Sequence, residues 1–208
     1  MPKHAALLFA AIAFVSRWAA AESVPFDSPR WKIEAKESRI EEYRGKKALF
    51  IKDGNAVLGD AKLRDGVVEF DMAFRLAQGF SGVMFRMEDA DDYELFYFRQ
   101  HLGGKPDANQ YTPVIHKLWG WQIYTGPRYC TPLAYPDGEW FHVKLSFSGS
   151  RAEVEIGGAD GLVLIPELKR SAIEGALGVF TATEGRDSPT SSSGRGRSRS
   201  AARRRRRR

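Results

Sequence analysis

The sequence predicts an all-β domain, a sandwich or barrel of short antiparallel strands. Three observations predict it. Apolar and polar residues alternate at period two over several runs, clusters of Gly, Asp and Ser separate those runs, and helical periodicity is almost absent.

The elements follow in chain order. Residues 39–43 and 47–51, joined by Arg44-Gly45-Lys46, form the first expected hairpin. In residues 67–75, Val68, Phe70, Met72 and Phe74 point one way while Glu69, Asp71 and Arg75 point the other. That is the pattern of a half-buried strand. Residues 81–87 and 93–101 make a second hairpin across the acidic link Glu88-Asp89-Ala90-Asp91-Asp92. Phe141, Val143, Leu145 and Phe147 alternate with His142, Lys144 and Ser146. The Ser148-Gly149-Ser150 turn then leads into residues 151–156, whose apolar face is Ala152, Val154 and Ile156. Residues 166–173 are expected to form a helical turn or two, with Pro166 suited to a first helical position. Residues 177–181 are a late short strand.

Residues 102–139 break this rhythm. They hold Tyr111, Trp119, Trp121, Tyr124, Tyr129 and Tyr135, half of the chain's five Trp and seven Tyr, together with five of its ten prolines. A long aromatic excursion stiffened by proline is expected to carry a binding site. The alternative is that these rings cover the sheet as a second small core.

The two ends differ from the body. Lys3 and His4 precede an apolar run over residues 5–15, and Ala19-Ala20-Ala21 offers a small-residue cleavage site, so residues 1–21 are expected to be a secretory signal and the mature protein to be secreted or periplasmic. The run is too short to span a bilayer, and no membrane contact is expected after cleavage. Residues 22–185 form the expected domain, and residues 186–208 an Arg/Ser-rich disordered tail. Of the whole-chain charge of +6, the tail carries +9 and the leader +2, leaving −5 for residues 22–185. The basic character belongs to the tail, so sequence-specific nucleic-acid binding by the domain is not expected. The string of Ser, Arg, Gly and Ala after residue 185 is what GC-rich coding DNA produces out of frame, and a frameshift that replaces the last strand is the expected origin of the tail; the alternative is a selected polybasic arm that coats polyanions without sequence preference. The single cysteine, Cys130, excludes an internal disulfide and a cysteine-based zinc site.

Several motifs carry a resemblance. Gly82-Val83-Met84-Phe85-Arg86 with residues 93–99, then residues 106–111, Trp121-Gln122 and residues 138–145, resemble in order the bacterial 3-keto-disaccharide hydrolase domain family, within the concanavalin A-like lectin/glucanase superfamily that also holds laminin G-like domains. The resemblance covers about residues 24 to 181. It implies a two-sheet antiparallel jelly-roll sandwich, a concave face that holds saccharide and, if the chain is an enzyme, a glycoside hydrolase or lyase acting on 3-keto sugars. A non-catalytic lectin-like or structural interaction module is the alternative. The chain departs from the glucanase pattern Glu-x-Asp-x-x-Glu, because Glu69-Phe70-Asp71 is followed by Ala73 and Phe74 with no second glutamate. The two-carboxylate mechanism thus lacks a member.

Candidate site residues follow from the strand faces. On residues 93–101, Tyr97, Arg99 and His101 share the face opposite the expected core residues Phe96 and Phe98, and Arg86 is expected to join them. Arg99 and His101 are the catalytic candidates, since guanidinium and imidazole groups bind oxyanions and stabilise an enolate beside a keto group. Gln110, Tyr111, Trp119, Trp121 and Gln122 complete the expected saccharide-binding set, rings stacking on sugar C–H faces and amides bonding hydroxyls. The alternative for both arginines is structural pairing with Glu94 or the 89–92 turn. His101, His116 and His142 lack ligand spacing, and no metal or other cofactor is expected. Calcium at the 89–92 turn is the weaker reading, against a solvated turn.

Overall fold

The computed structural model describes residues 22–157 and 161–183. The expected leader 1–21 and tail 186–208 lie outside these residues, as would any strand following residue 183. Eleven strands make two antiparallel sheets among the described residues. The larger contains β1 (Trp31–Tyr43), β2 (Lys46–Leu63), β4 (Phe80–Met87), β5 (Tyr93–Arg99), β6 (Asn109–Ile115), β7 (Leu118–Trp119) and β11 (Gly175–Ala182), in the order β1-β2-β11-β4-β5-β6-β7. The smaller contains β3 (Gly66–Met72), β8 (Phe141–Ser148), β9 (Arg151–Ile156) and β10 (Leu162–Ile165), in the order β10-β9-β8-β3. A 3-10 turn, Gln100–Leu102, follows β5.

The core lies between the sheets. Val83, Phe85, Phe96 and Phe98 from the larger sheet meet Val143, Leu145, Phe147, Val154 and Ile156 from the smaller, all nearly or wholly buried. Each such side chain contributes about 1.5–3 kcal/mol through burial. Phe74, Phe98, Tyr135 and Phe141 close one end, Phe74 meeting both Tyr135 and Phe141 edge-on at 5.2 Å while Tyr135 and Phe141 stack.

The alternating runs become β3, β5, β8 and β9 where the pattern places them. The first hairpin is much longer than expected. Its turn is Arg44-Gly45, both at positive φ (46° and 76°), which suits the twist of a two-residue hairpin. The outer edge of β1 carries Lys32, Glu34, Lys36, Glu37, Glu41 and Glu42, charges that blunt an otherwise open edge. Strands β6 and β10 have no sequence signal of comparable strength. Pro113 within β6 argues against a strand, but the neighbouring chain adapts to it: Gly120 N–H bonds the Pro113 carbonyl at 3.2 Å. Residues 166–173 form no helix; they run as irregular chain with bends at Pro166, Lys169 and Arg170, and Leu168 N–H bonds the Ser150 carbonyl. The late strand β11 is central, paired with β2 on one side and β4 on the other. At the edge of the small sheet, β3 pairs with β8 among the described residues.

The outer face of the larger sheet is also packed. Met84, Leu95, Tyr97, Val114 and Phe180 are at most 5 % exposed there, with Val57, Phe80 and Trp119 against them. Strands β7 and β11 are four positions apart, roughly 19 Å in a flat sheet. Yet the rings of Trp119 and Phe180 are 5.9 Å apart. The sheet therefore curls, and this outer face is its concave side.

Candidate functional site

One cross-strand row organises the concave face. Glu34 of β1 pairs with Asn55 of β2, Asn55 with Phe180 of β11, Phe180 with Gly82 of β4, Gly82 with Tyr97 of β5, and Tyr97 with Gln110 of β6. Because paired residues share a face, these six residues line one transverse strip, five through side chains and Gly82 through bare backbone. Gly82 is what lets the strip pack. A Cβ there would meet Phe96 O at 2.4 Å, Phe180 Cε1 at 2.7 Å and Tyr97 Cβ at 2.8 Å, so the Phe180 ring lies over the bare backbone. The next row toward the open end pairs Phe80 with Arg99. His101, on the 3-10 turn, sets its ring edge-on to Phe80 at 5.5 Å.

A buried polar network sits in this strip. Tyr97 OH donates to Gln110 Oε1 at 2.8 Å and accepts from Arg99 Nη2 at 2.8 Å; Arg99 Nη2 also donates to Gln110 Oε1. Arg99 Nη1 donates to the Asp107 carbonyl at 2.9 Å. Gln110 turns its Nε2 outward to the carbonyls of Trp121, at 2.7 Å, and Tyr124. The segment after β7 is thereby clamped along the free edge of β6. Tyr129 O accepting from Tyr111 N–H at 2.9 Å, and the reciprocal bonds between Asn109 and Thr131, complete the clamp. Burial pushes the Tyr97 phenol well above its usual range, so it stays a neutral donor and acceptor. Cys130, tucked behind the same segment, has its thiol pushed up by burial as well, the state of an inert side chain.

The structure brings together Tyr97, Arg99, Gln110 and Trp119, with His101 alongside. Trp119 covers Tyr97 at 6.3 Å between ring centroids. Trp121 joins through its carbonyl while its indole remains exposed, and Gln122 is exposed beside it.

Arg86 and Tyr111 lie on the other side of the sheet. The expectation that Arg86 joins Arg99 is corrected by a bulge. Met84 pairs with Gly178 and Met87 with Ala176, so two residues of β4 oppose one of β11, and Arg86 takes φ 47°. The extra residue resets the alternation and sends Arg86 inward, over the Phe147 ring at 5.4 Å. There it donates to the Arg64 carbonyl at 2.7 Å and to Asp65 at 3.2 Å. Tyr111 also faces the core: its OH donates to Glu94 Oε2 at 2.7 Å and accepts from Lys169 N–H at 2.7 Å. Glu94 Oε1 takes Arg170 N–H at 3.0 Å. Burial raises the Glu94 carboxyl above its ordinary range, against the lowering pull of these donors. This pair fastens the segment leading to β11.

Phe80, Phe180, Gly82 and Asn55 belong to the site without having been expected there. Only the cross-strand register brings them together: Gly82 begins a motif, but its place beneath Phe180 depends on the pairing of β4 with β11.

The remaining candidates have other partners. Glu69 and Asp71 lie on the exposed face of the small sheet, where Asp71 meets Lys46 at 2.5 Å and His142 at 2.9 Å. Those contacts, that of Lys46 first, hold its carboxyl below the usual range. At the 89–92 turn, Asp89 Oδ1 accepts from the N–H groups of Asp91 and Asp92 at 2.8 and 2.9 Å, an Asx turn. Among the described residues no three His, Cys, Asp or Glu side chains are grouped to hold a metal ion. A cavity of about 440 Å³ between Tyr135, Trp140, His142 and Ile156 lies away from the concave face.

No protein-family model and no curated protein matches the chain. Solved structures do. A carbohydrate-binding module of family 66 from Bacillus subtilis is 16% identical, with a TM-score of 0.51 over 73% of this chain and 86% of that one. A toad ovary galectin in complex with thio-digalactose is 16% identical, TM-score 0.46, over 61% and 97%. A Bacillus licheniformis β-glucanase is 9% identical, TM-score 0.44, over 73% and 78%. The chain has the fold of a two-sheet antiparallel jelly-roll sandwich.

Proposed function

We propose that the chain binds a saccharide at the end of the concave face formed by Phe80, Arg99 and His101, beside Trp119 of β7 and the clamped segment bearing Trp121. The buried Tyr97–Arg99–Gln110 network carries this reading. It fixes polar groups against aromatic surface, the combination that recognises a sugar's hydroxyls and its C–H face together. The fold shared with a carbohydrate-binding module supports it. The test is a broad glycan array on the full chain, followed by titration of tryptophan fluorescence with each hit. Saturable quenching that Trp121→Ala diminishes is the expected result, and a silent array sinks the reading.

The narrower version, processing of 3-keto sugars, would place Arg99 and His101 beside the keto group. The unpartnered, buried Nδ1 of His101 favours a role beyond packing. Release of reducing or keto sugar, lost in Arg99→Ala, is its measure; binding without turnover leaves a lectin-like module. Export through residues 1–21 belongs to the same proposal and is checked by the N-terminus of the mature protein.

A further inference from the structure

We propose that the saccharide this site takes is acidic, its carboxylate seated on Arg99 and His101; the inference rests on the saccharide reading above. It comes from the charge balance of three buried arginines. Arg86, Arg99 and Arg170 have side chains 0%, 10% and 8% exposed. Arg86 holds the Asp65 carboxylate at 3.2 Å, and Arg170 holds that of Glu88. Arg99 has no carboxylate within hydrogen-bond distance among the described residues. Its nearest, Asp107 Oδ2, is 3.9 Å away on a half-exposed side chain.

The partners Arg99 does have are neutral: the Asp107 carbonyl, the Tyr97 hydroxyl and the Gln110 amide oxygen. These fill three of the five N–H donors of a guanidinium and neutralise none of its charge. A buried cation whose paired carboxylate stands 3.9 Å off on a half-exposed side chain is only partly compensated, and an arriving carboxylate completes that compensation while filling a free donor. His101, two residues on, adds a ring nitrogen buried without a hydrogen-bond partner. Phe80, half-buried between them, supplies the flat surface for a pyranose ring. Tyr97 and Gln110 hold the guanidinium in place, so the anion site is preorganised.

The experiment compares matched ligands on the full chain at physiological salt: tri-galacturonate and tri-mannuronate, each against its methyl ester. The free acid of at least one pair is expected to bind about tenfold tighter than its ester, the scale of one charge-assisted hydrogen bond. Arg99→Gln, with the Arg-rich tail unchanged, is expected to erase that preference. Equal or tighter binding of the esters overturns the acidic inference and leaves the saccharide reading standing. A preference that survives Arg99→Gln also overturns it, since the charge then resides elsewhere, the tail included. If no saccharide binds, both readings fall. Should Arg99→Gln fail to fold, His101→Ala carries the same comparison: the preference is expected to shrink with the melting temperature unchanged, and an unchanged preference counts against the inference.

Discussion

Replacing Gln110 tests whether the concave face is held as one unit. Its side chain is 1% exposed and joins four partners: Tyr97 and Arg99 on the sheet, and the carbonyls of Trp121 and Tyr124 on the segment above. A net contribution of about 1 kcal/mol for each hydrogen bond gives roughly 4 kcal/mol as an upper figure for Gln110→Ala. Water entering the gap would refill some of these bonds, so the expected loss is about 2–4 kcal/mol. For a domain of this size that lowers the melting temperature by roughly 4–16 °C. Gln110→Met keeps the volume, removes the bonds and should lose nearly as much. Urea denaturation measures stability, and limited proteolysis between residues 120 and 130 reports on the segment. Both variants are expected to be cleaved faster there than the parent at equal global stability, reached by adjusting denaturant. A loss under about 0.5 kcal/mol with unchanged cleavage would refute the view that this amide ties the segment to the sheet.

Three other perturbations probe separate links. Gly82→Ala forces contacts below 3.0 Å with a backbone carbonyl and two packed side chains, so a loss of about 1–3 kcal/mol and a changed Trp119 emission are expected in melts followed by fluorescence. Trp119→Ala uncovers Phe180 and Tyr97; about 1–3 kcal/mol is expected to go in urea titrations, along with saccharide binding, and retention of full affinity would remove Trp119 from the site. Glu94 gives a pH signature. Its folded carboxyl lies above the unfolded value of 4.5, so its favourable contribution is complete below that value and is lost as pH rises through the folded one. Glu94→Gln cannot deprotonate, and its stability relative to the parent should improve from pH 4.5 to pH 8 in parallel urea melts; a constant difference would show that Glu94 does not titrate in this window.

How much was legible depended on the face. Where a strand buries one side only, as in β8 and β9, alternation reads directly, and Phe141 or Val154 is recognisable as core from spacing alone. Strand β5 is buried at all seven positions, so its alternation separates two faces without saying what lies on each. Tyr97 and Arg99 could be grouped from the sequence because they sit two apart on one strand. Gln110 also stood out, as part of a motif, but its partnership with Tyr97 is a matter of register between β5 and β6. Arg86 failed the same reasoning, since a bulge leaves no mark in an otherwise apolar run.

The sequence by itself determined that this is an antiparallel β domain, which residues form its half-buried strands, and that an aromatic, proline-rich excursion interrupts them. Those properties are local: they depend on period-two spacing and on turn residues within a few positions of one another. Only the tertiary structure decided that β11 lies between β2 and β4, and that the sheet curls until Trp119 meets Phe180. It alone turned Arg86 inward, leaving Arg99 as the buried guanidinium whose nearest carboxylate, Asp107, stands beyond hydrogen-bond distance at 3.9 Å. Strand order, curvature and charge compensation join residues tens of positions apart, and their energies depend on distances that exist only once the chain has folded.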